Sequence, residues 1–494
     1  MPLKNRVAAC LLASASILYA QPALANTVCD LVVSKGRVMD PASGRDEVTD
    51  LCVTNGKITA IAKSGLSGKR TINAAGHVVS PGFIDIHVHL TDDYSLSYLV
   101  RDGVTTALEL EGGAYPLKPY YDQLARSAYM NYGASVSYAG ARLAVQTGST
   151  EGGRNRPGAE ALGRQSISEE QQAQVNTLIE SGLSEGGIGI GLGIEYIRGA
   201  DQSEVYRLFK TAGRSKAIAF VHTREFTSAD RGNMLNAVLE VMADAAATGA
   251  GVHICHVSSK GLGDTPIILE AIRDAKARGL DVSVEVPSYA DAAGVIGSGL
   301  FDDGWQKRWN ADYSSLELPS TGQRLTKEVF DDLRANRPQT RIQKHITPEW
   351  TVDAGMAEPG VIIASDAVRM DPGLSGDPRG SGTFSRTLGR YVRERKLLSL
   401  MDAIRRMALL PAQRLERMAP AMARKGRLQV GADADITIFD ADKVIDQGTA
   451  LTPAVAPLGI PFVIVNGQVV VDNGQLVSGT RPGRPILGTL RPVR

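Results

Sequence analysis

The chain has 494 residues, 54 Lys+Arg against 53 Asp+Glu, and 43% apolar residues. That balance suits a large globular protein with a sizeable core. It excludes a disordered chain and, with no basic cluster, a nucleic-acid binder.

The first 25 residues, "MPLKNRVAACLLASASILYAQPALA", carry Lys4 and Arg6, then an apolar run from Val7 to Ala20, then Ala23-Leu24-Ala25 as a small-residue cleavage pattern. This order describes a secretory signal peptide over 1–25, and the run falls short of the ~20 residues a bilayer span needs. The expected mature chain starts near Asn26 and is secreted or periplasmic, with no membrane attachment after cleavage. Cys10 leaves with the signal; Cys29, Cys52 and Cys255 stay. Cys29 and Cys52 sit in successive strand-like segments, so either a bridge or two buried thiols fits them.

From 26 to 80 the pattern is alternating β with turn signals such as "NGK". It returns over 425–494, in "ADITIFD" and "FVIVNGQVVVDNGQ". The two ends are expected to pair into one small β-sandwich. Between them, over 81–424, amphipathic segments such as "NMLNAVLEVMADAAATG" alternate with short apolar runs such as "AIAFVHTRE" and "GVIIASDA". Such βα alternation predicts an α/β fold with a parallel sheet, and a (β/α)8 TIM-like barrel fits the length. His89, Glu111, His222, His256, Tyr289 and Asp366 each fall at the C-terminal end of a predicted strand, the edge where barrels build their sites. Two insertions break the rhythm, near 145–175 and 296–350, each either a lid or a surface elaboration.

Only seven histidines occur. In "PGFIDIHVHL", His87 and His89 are two residues apart on a strand-like run and project to one side. His222 and His256 each close another apolar run, whereas alternation turns His253 away from His256. His77 and His345 lie outside the barrel strands. Four strand-end histidines, two of them as His-x-His, point to metal, and neutral imidazole nitrogen suits Zn²⁺. Carboxylates complete the set. In "GVTTALELEGG", Glu111 stands nearest the strand's C-terminal edge and can bridge two cations, with Glu109 as the fallback. Asp366 ends the last clear strand, where it can bind metal and serve as a general base.

With these residues in place, the chain resembles the amidohydrolase superfamily. "GIGLGIEYIRGA", "VHTRE", "DPRGSGTFSRTLGRYVRE" and "KGRLQVGADADITIFD" are similar to the D-aminoacylases, the N-acyl-D-amino-acid deacylases, including N-acyl-D-glutamate types. The resemblance implies His87, His89 and Asp366 at one metal position, His222 and His256 at the other, and one or two zinc ions. D-aminoacylases most often bridge their metals with a cysteine in a Gly-Asn-Cys-Gly stretch; here Leu110-Glu111-Gly112-Gly113 stands there, so Glu111 becomes the candidate bridge.

The resemblance further implies Arg379 as the grip on a substrate α-carboxylate, a task suited to a planar bidentate donor. Tyr196, Tyr289, Lys260 and Arg224 are further candidate substrate contacts, Arg224 equally a partner for Glu225. The implied reaction is hydrolysis of an N-acyl-D-amino acid to a carboxylate and a free D-amino acid, with Asp366 moving the proton. Cyclic amides, dipeptides or a bulkier xenobiotic amide are the alternatives within the superfamily. A non-catalytic secreted metal-binding protein is the alternative of another class, and an intact Asp366 speaks against it. A serine hydrolase lacks its Gly-x-Ser-x-Gly elbow. The expected partner is a small amide bearing a carboxylate; whether the chain forms a homo-oligomer stays open.

Overall fold

The computed structural model describes residues 28–150, 159–225 and 233–489. The signal-peptide segment 1–25 and part of the 145–175 insertion, residues 151–158, lie outside the described residues.

Eight strands form a nearly closed parallel barrel: β1 (Phe83–Asp85), β2 (Val104–Ala114), β3 (Asn131–Ser137), β4 (Ile190–Gly193), β5 (Ile218–His222), β6 (Gly251–Ile254), β7 (Val282–Val286) and β8 (Ile362–Ile363). Each neighbours the next in chain order, as right-handed βα units require. Across the seam, Val88–His89 just after β1 pairs in parallel with Ala367–Val368 just after β8. The Ser365 backbone N–H also donates to Asp85 Oδ1 at 3.1 Å. Residues 87 and 366 thus meet because the barrel closes on itself.

The covering helices follow from apolar spacing and polar caps. Gln202–Arg214 buries Val205, Leu208, Phe209 and Ala212, positions three or four apart on one face. Asp201 caps it, accepting the Glu204 N–H at 2.7 Å. Strand residues such as Ile190, Phe220, Val252 and Val284 join these helices in one core. Each such side chain contributes about 1.5–3 kcal/mol on burial. At β4 the chain needs glycine: a Cβ on Gly191 would stand 2.6 Å from the Glu111 carbonyl oxygen, so its absence lets β4 approach β2 where Glu111 emerges.

Both ends of the chain share one nine-stranded sheet. Val78–Pro81 runs antiparallel to Ile436–Phe439, with Ser80 opposite Thr437. This sheet has its own core of Leu31, Val33, Leu51, Ile436 and Ile438, separate from the barrel's. Cys29 and Cys52, on neighbouring strands, are joined by a disulfide.

The 296–350 insertion is a folded unit. Strands Ala292–Val295, Arg341–Lys344, Leu316–Leu318 and Gln323–Arg324 form an antiparallel sheet in that order. Phe301, Trp305, Trp309 and Phe330 pack edge to face and stacked beneath it. Its residues Gly294, Val295, Leu300 and Lys344 line one cavity with the strand-end residues His89, His222 and His256, which makes it a roof over the C-terminal mouth of the barrel.

Candidate metal centre

A cavity of about 580 Å³ opens at the C-terminal edge of the barrel. Its floor carries His89, Glu111, His222, His256 and Asp366, and its wall carries Tyr196, Lys260 and Arg379. His87 lies just beneath, buried.

The floor divides into two groups that share Glu111. On one side His87 Nε2 and His89 Nε2 stand 3.2 Å apart. Asp366 Oδ1 lies 3.3 and 3.5 Å from them. Glu111 Oε2 lies 3.6 Å from His89 Nε2. On the other side His222 Nδ1 is 3.0 Å from His256 Nε2 and 2.8 Å from Glu111 Oε1. Ligands bound tetrahedrally at about 2.0–2.1 Å stand roughly 3.3 Å from one another, which is the spacing of these atoms.

The outer nitrogens decide what the inner ones offer. His87 Nδ1 is held by Glu285, and His89 Nδ1 donates to Glu109 at 3.0 Å. His222 Nε2 donates to Glu195 at 2.8 Å. Each carboxylate fixes the ring proton on the outward nitrogen and leaves the inward nitrogen with a lone pair. The inward nitrogens of His87 and His89, each ring with its proton held outward, face each other at 3.2 Å and repel unless a cation lies between them. The donor set therefore fits metal on an observation internal to the site.

The electrostatics agree. Burial disfavours charge on the His87 ring, but the Glu285, Asp366 and Glu111 carboxylates outweigh it and draw positive charge to that position. Burial would raise Glu195, yet Lys260 and His222 hold it at about 2. Asp366, penalised by burial, is kept well below the usual carboxylate range by Arg379 and His87. So many buried acids around the histidines demand positive charge, which a bound cation would supply while leaving the imidazoles neutral. Two of the candidate ligands, His256 at φ +32° and Asp366 at φ +52°, also hold left-handed backbone, a conformation that cores rarely impose without a functional reason.

The candidate residues from the sequence separate clearly. His87, His89, Glu111, His222, His256 and Asp366 converge on the cavity floor. Glu109 faces outward to His89 and accepts the Gly112 N–H, so of the two glutamates it is Glu111 that stands between the histidine pairs. Tyr196 lines the cavity with its ring 4.6 Å from that of His222. Lys260 also lines it, with its ammonium donating to Glu195 at 2.8 Å and to the Thr223 carbonyl at 2.6 Å. Arg379 donates to Asp366 Oδ2 at 2.6 Å and to Asp377 at 2.7 and 2.9 Å.

Two candidates point elsewhere. The Tyr289 hydroxyl donates to Asp446 at 2.7 Å beneath Arg386, and Tyr289 is absent from the cavity lining among the described residues. Arg224 pairs with Glu240 rather than Glu225, and donates to the Ala200 carbonyl. Conversely, Glu195 and Glu285 escaped the sequence reading. Glu285 is the lone acid within the apolar run "VSVEV", a signal that was available. It also accepts from His253 Nε2 at 2.9 Å, which gives that histidine its structural place.

Residues 360–471 match the Amidohydrolase family. The chain is 27% identical to the N-acyl-D-glutamate deacylase of Alcaligenes xylosoxydans xylosoxydans, over 92% of this chain and 96% of that protein. It is 27% identical to the D-aminoacylase of the same organism, over 93% and 98%. A dihydroorotase from Geotalea daltonii is also 27% identical, over 89% and 99%. Among solved structures, the N-acyl-D-glutamate deacylase of Bordetella bronchiseptica, complexed with zinc and a phosphonate inhibitor, superposes with a TM-score of 0.77 at 24% identity, over 93% of this chain and all of that one. The resemblance to amidohydrolases of the D-aminoacylase kind thus extends over nine tenths of the chain.

Proposed function

We propose that this D-aminoacylase-like chain is a zinc-dependent amidohydrolase that cleaves the amide bond of N-acyl-D-amino acids, releasing a carboxylate and a free D-amino acid. The observation that carries the reading is Glu111, set between His222 on one side and His89 on the other, with Asp366 beside the first histidine pair. His87, His89, Asp366 and Glu111 would hold one ion, and His222, His256 and Glu111 a second. When bound, zinc polarises a carbonyl and lowers the pKa of water to about 7.

The chain's own groups supply the rest. Asp366 is held ionised by Arg379, so one of its oxygens can take the proton of the attacking water and return it to the departing amine. Glu285, Glu109 and Glu195 keep three histidines in one tautomer and orientation. The insertion lines one side of the cavity and so limits bulk water around the reacting bond.

The D-aminoacylase and N-acyl-D-glutamate deacylase relatives support the substrate class. Opening of a cyclic amide is the second reading, favoured by the dihydroorotase relatives at the same identity. Comparing turnover of N-acetyl-D-amino acids, their L-enantiomers, dihydroorotate and hydantoins decides between them: amine release from the D series alone supports the proposal, and ring opening alone overturns it.

The reading includes export to a secreted or periplasmic setting. The leader-like first 25 residues and the Cys29–Cys52 bridge support it, since such bridges persist in oxidising compartments. Mass spectrometry of the mature N-terminus tests it, and an intact Met1 in the exported fraction would count against cleavage near Ala25.

A further inference from the structure

Six cationic side chains line the cavity: Arg142, Lys260, Arg341, Lys344, Arg369 and Arg379. Four are neutralised by acids. Arg142 binds Glu204 at 2.8 Å and Lys260 binds Glu195 at 2.8 Å. Arg369 binds Asp371 at 2.8 Å, and Arg379 binds both Asp366 and Asp377. The arginine expected to grip a substrate carboxylate is thus already clamped between two carboxylates.

Lys344 is different. It is only 8% exposed, and its ammonium makes no hydrogen bond or ion pair with any described residue. The Trp309 ring lies 5.4 Å from Nζ, and such a contact offsets only part of the cost of burying a charge. The lysine stands on a rigid element. Arg341–Lys344 is an inner strand of the roof, where Lys344 pairs with Ala292 on one side and Leu316 on the other. The Lys344 stem passes over Gly294, where a Cβ would stand 3.6 Å from Lys344 Cε, an ordinary packing distance. Arg341 also lacks an acid partner among the described residues, but it lies half-buried at the rim.

A largely buried lysine whose ammonium faces a cavity, with no counter-ion among the described residues, offers a receptor for an anion from outside. We propose that Lys344, on the roof, receives the α-carboxylate of the bound substrate, in the place that resemblance would assign to Arg379. This rests on the deacylase reading, because an N-acyl amino acid always brings one such carboxylate beside its amide. Arg379 is then a positioning residue, which orients Asp366 and keeps it ionised.

The test uses the zinc-loaded protein and a non-hydrolysable pair, N-methanesulfonyl-D-leucine and its α-carboxamide, titrated calorimetrically into wild type, Lys344→Met and Lys344→Arg. Wild type should prefer the carboxylate. Lys344→Met should weaken the carboxylate by roughly 10–100-fold, the worth of a hydrogen bond to a charged group, and leave the carboxamide nearly unchanged. Lys344→Arg should restore part of the preference. Equal binding of the two probes to wild type, or equal weakening of both in Lys344→Met, overturns the proposal. Turnover of N-acetyl-D-leucine on the same preparation is read separately. Its absence would remove the deacylase reading, whereas a Lys344-dependent preference for the carboxylate would still stand.

Discussion

Glu111 Oε1 lies 2.8 Å from His222 Nδ1, while the other oxygen of the same carboxylate faces His89 Nε2 at 3.6 Å. One side chain therefore spans both histidine pairs. Its ionisation is secured by those histidines: burial would raise it, but His222 and His256 hold it well below the ordinary range.

Glu111→Ala should remove the shared ligand from both groups. The expected result is loss of bound metal and a fall in activity beyond the roughly 10–100-fold that follows loss of an outer partner. Metal analysis of the purified variant, with circular dichroism to confirm folding, checks it. Full metal content would show that Glu111 does not bridge.

Glu285 accepts from the outer nitrogen of His87, from His253 Nε2 and from the His256 backbone N–H at 3.4 Å. Glu285→Gln keeps the shape and removes the charge, so metal affinity should weaken by roughly 10–100-fold with the ligands intact. Competition with a chelator of known affinity measures this. An unchanged affinity would make Glu285 a packing group only.

Burial presses the Lys344 ammonium down to about 8; Arg379 and Lys260 add to this, while Glu195 and Asp366 oppose it. The lysine is charged below that value and neutral above it. Accordingly, kcat/KM for a carboxylate substrate should be maintained below about pH 8 and should fall above it, as the free enzyme loses its anion receptor. In Lys344→Arg the guanidinium stays charged and the fall should vanish. A profile with the same alkaline limb in both proteins would assign the limb to another group.

The Cys29–Cys52 bridge closes a stretch with a sequence separation of 23 residues. By loop-closure entropy such a link contributes about 3 kcal/mol. Cys52→Ser should lower Tm while the metal content of the barrel stays the same, because that core is separate from the sheet that the bridge ties. Thermal unfolding with and without reductant tests this in the wild type as well.

Much of the fold was readable because it is written in local periods. The β patterns at both ends, the βα alternation between them and the His-x-His spacing are all properties of short windows. The paired ends at Ser80 and Thr437 follow from them. What escaped depends on how distant strands register around the barrel. Glu195 meets His222 from the neighbouring strand connection, and Glu285 meets His87 across 198 positions. No window contains both partners. Tyr289 and Arg224 follow strands β7 and β5, but their backbones carry them to Asp446 and Glu240. The same holds for Lys344, which has no acid partner among the described residues and is marked by nothing in its own sequence window.

The most direct test of the central claim is the metal content of the purified mature protein, measured with hydrolysis of N-acetyl-D-amino acids and their L-enantiomers before and after chelation. The account predicts bound zinc, amine release from the D series, loss of that activity on chelation and its return with added zinc. Turnover that persists in metal-free protein would contradict it.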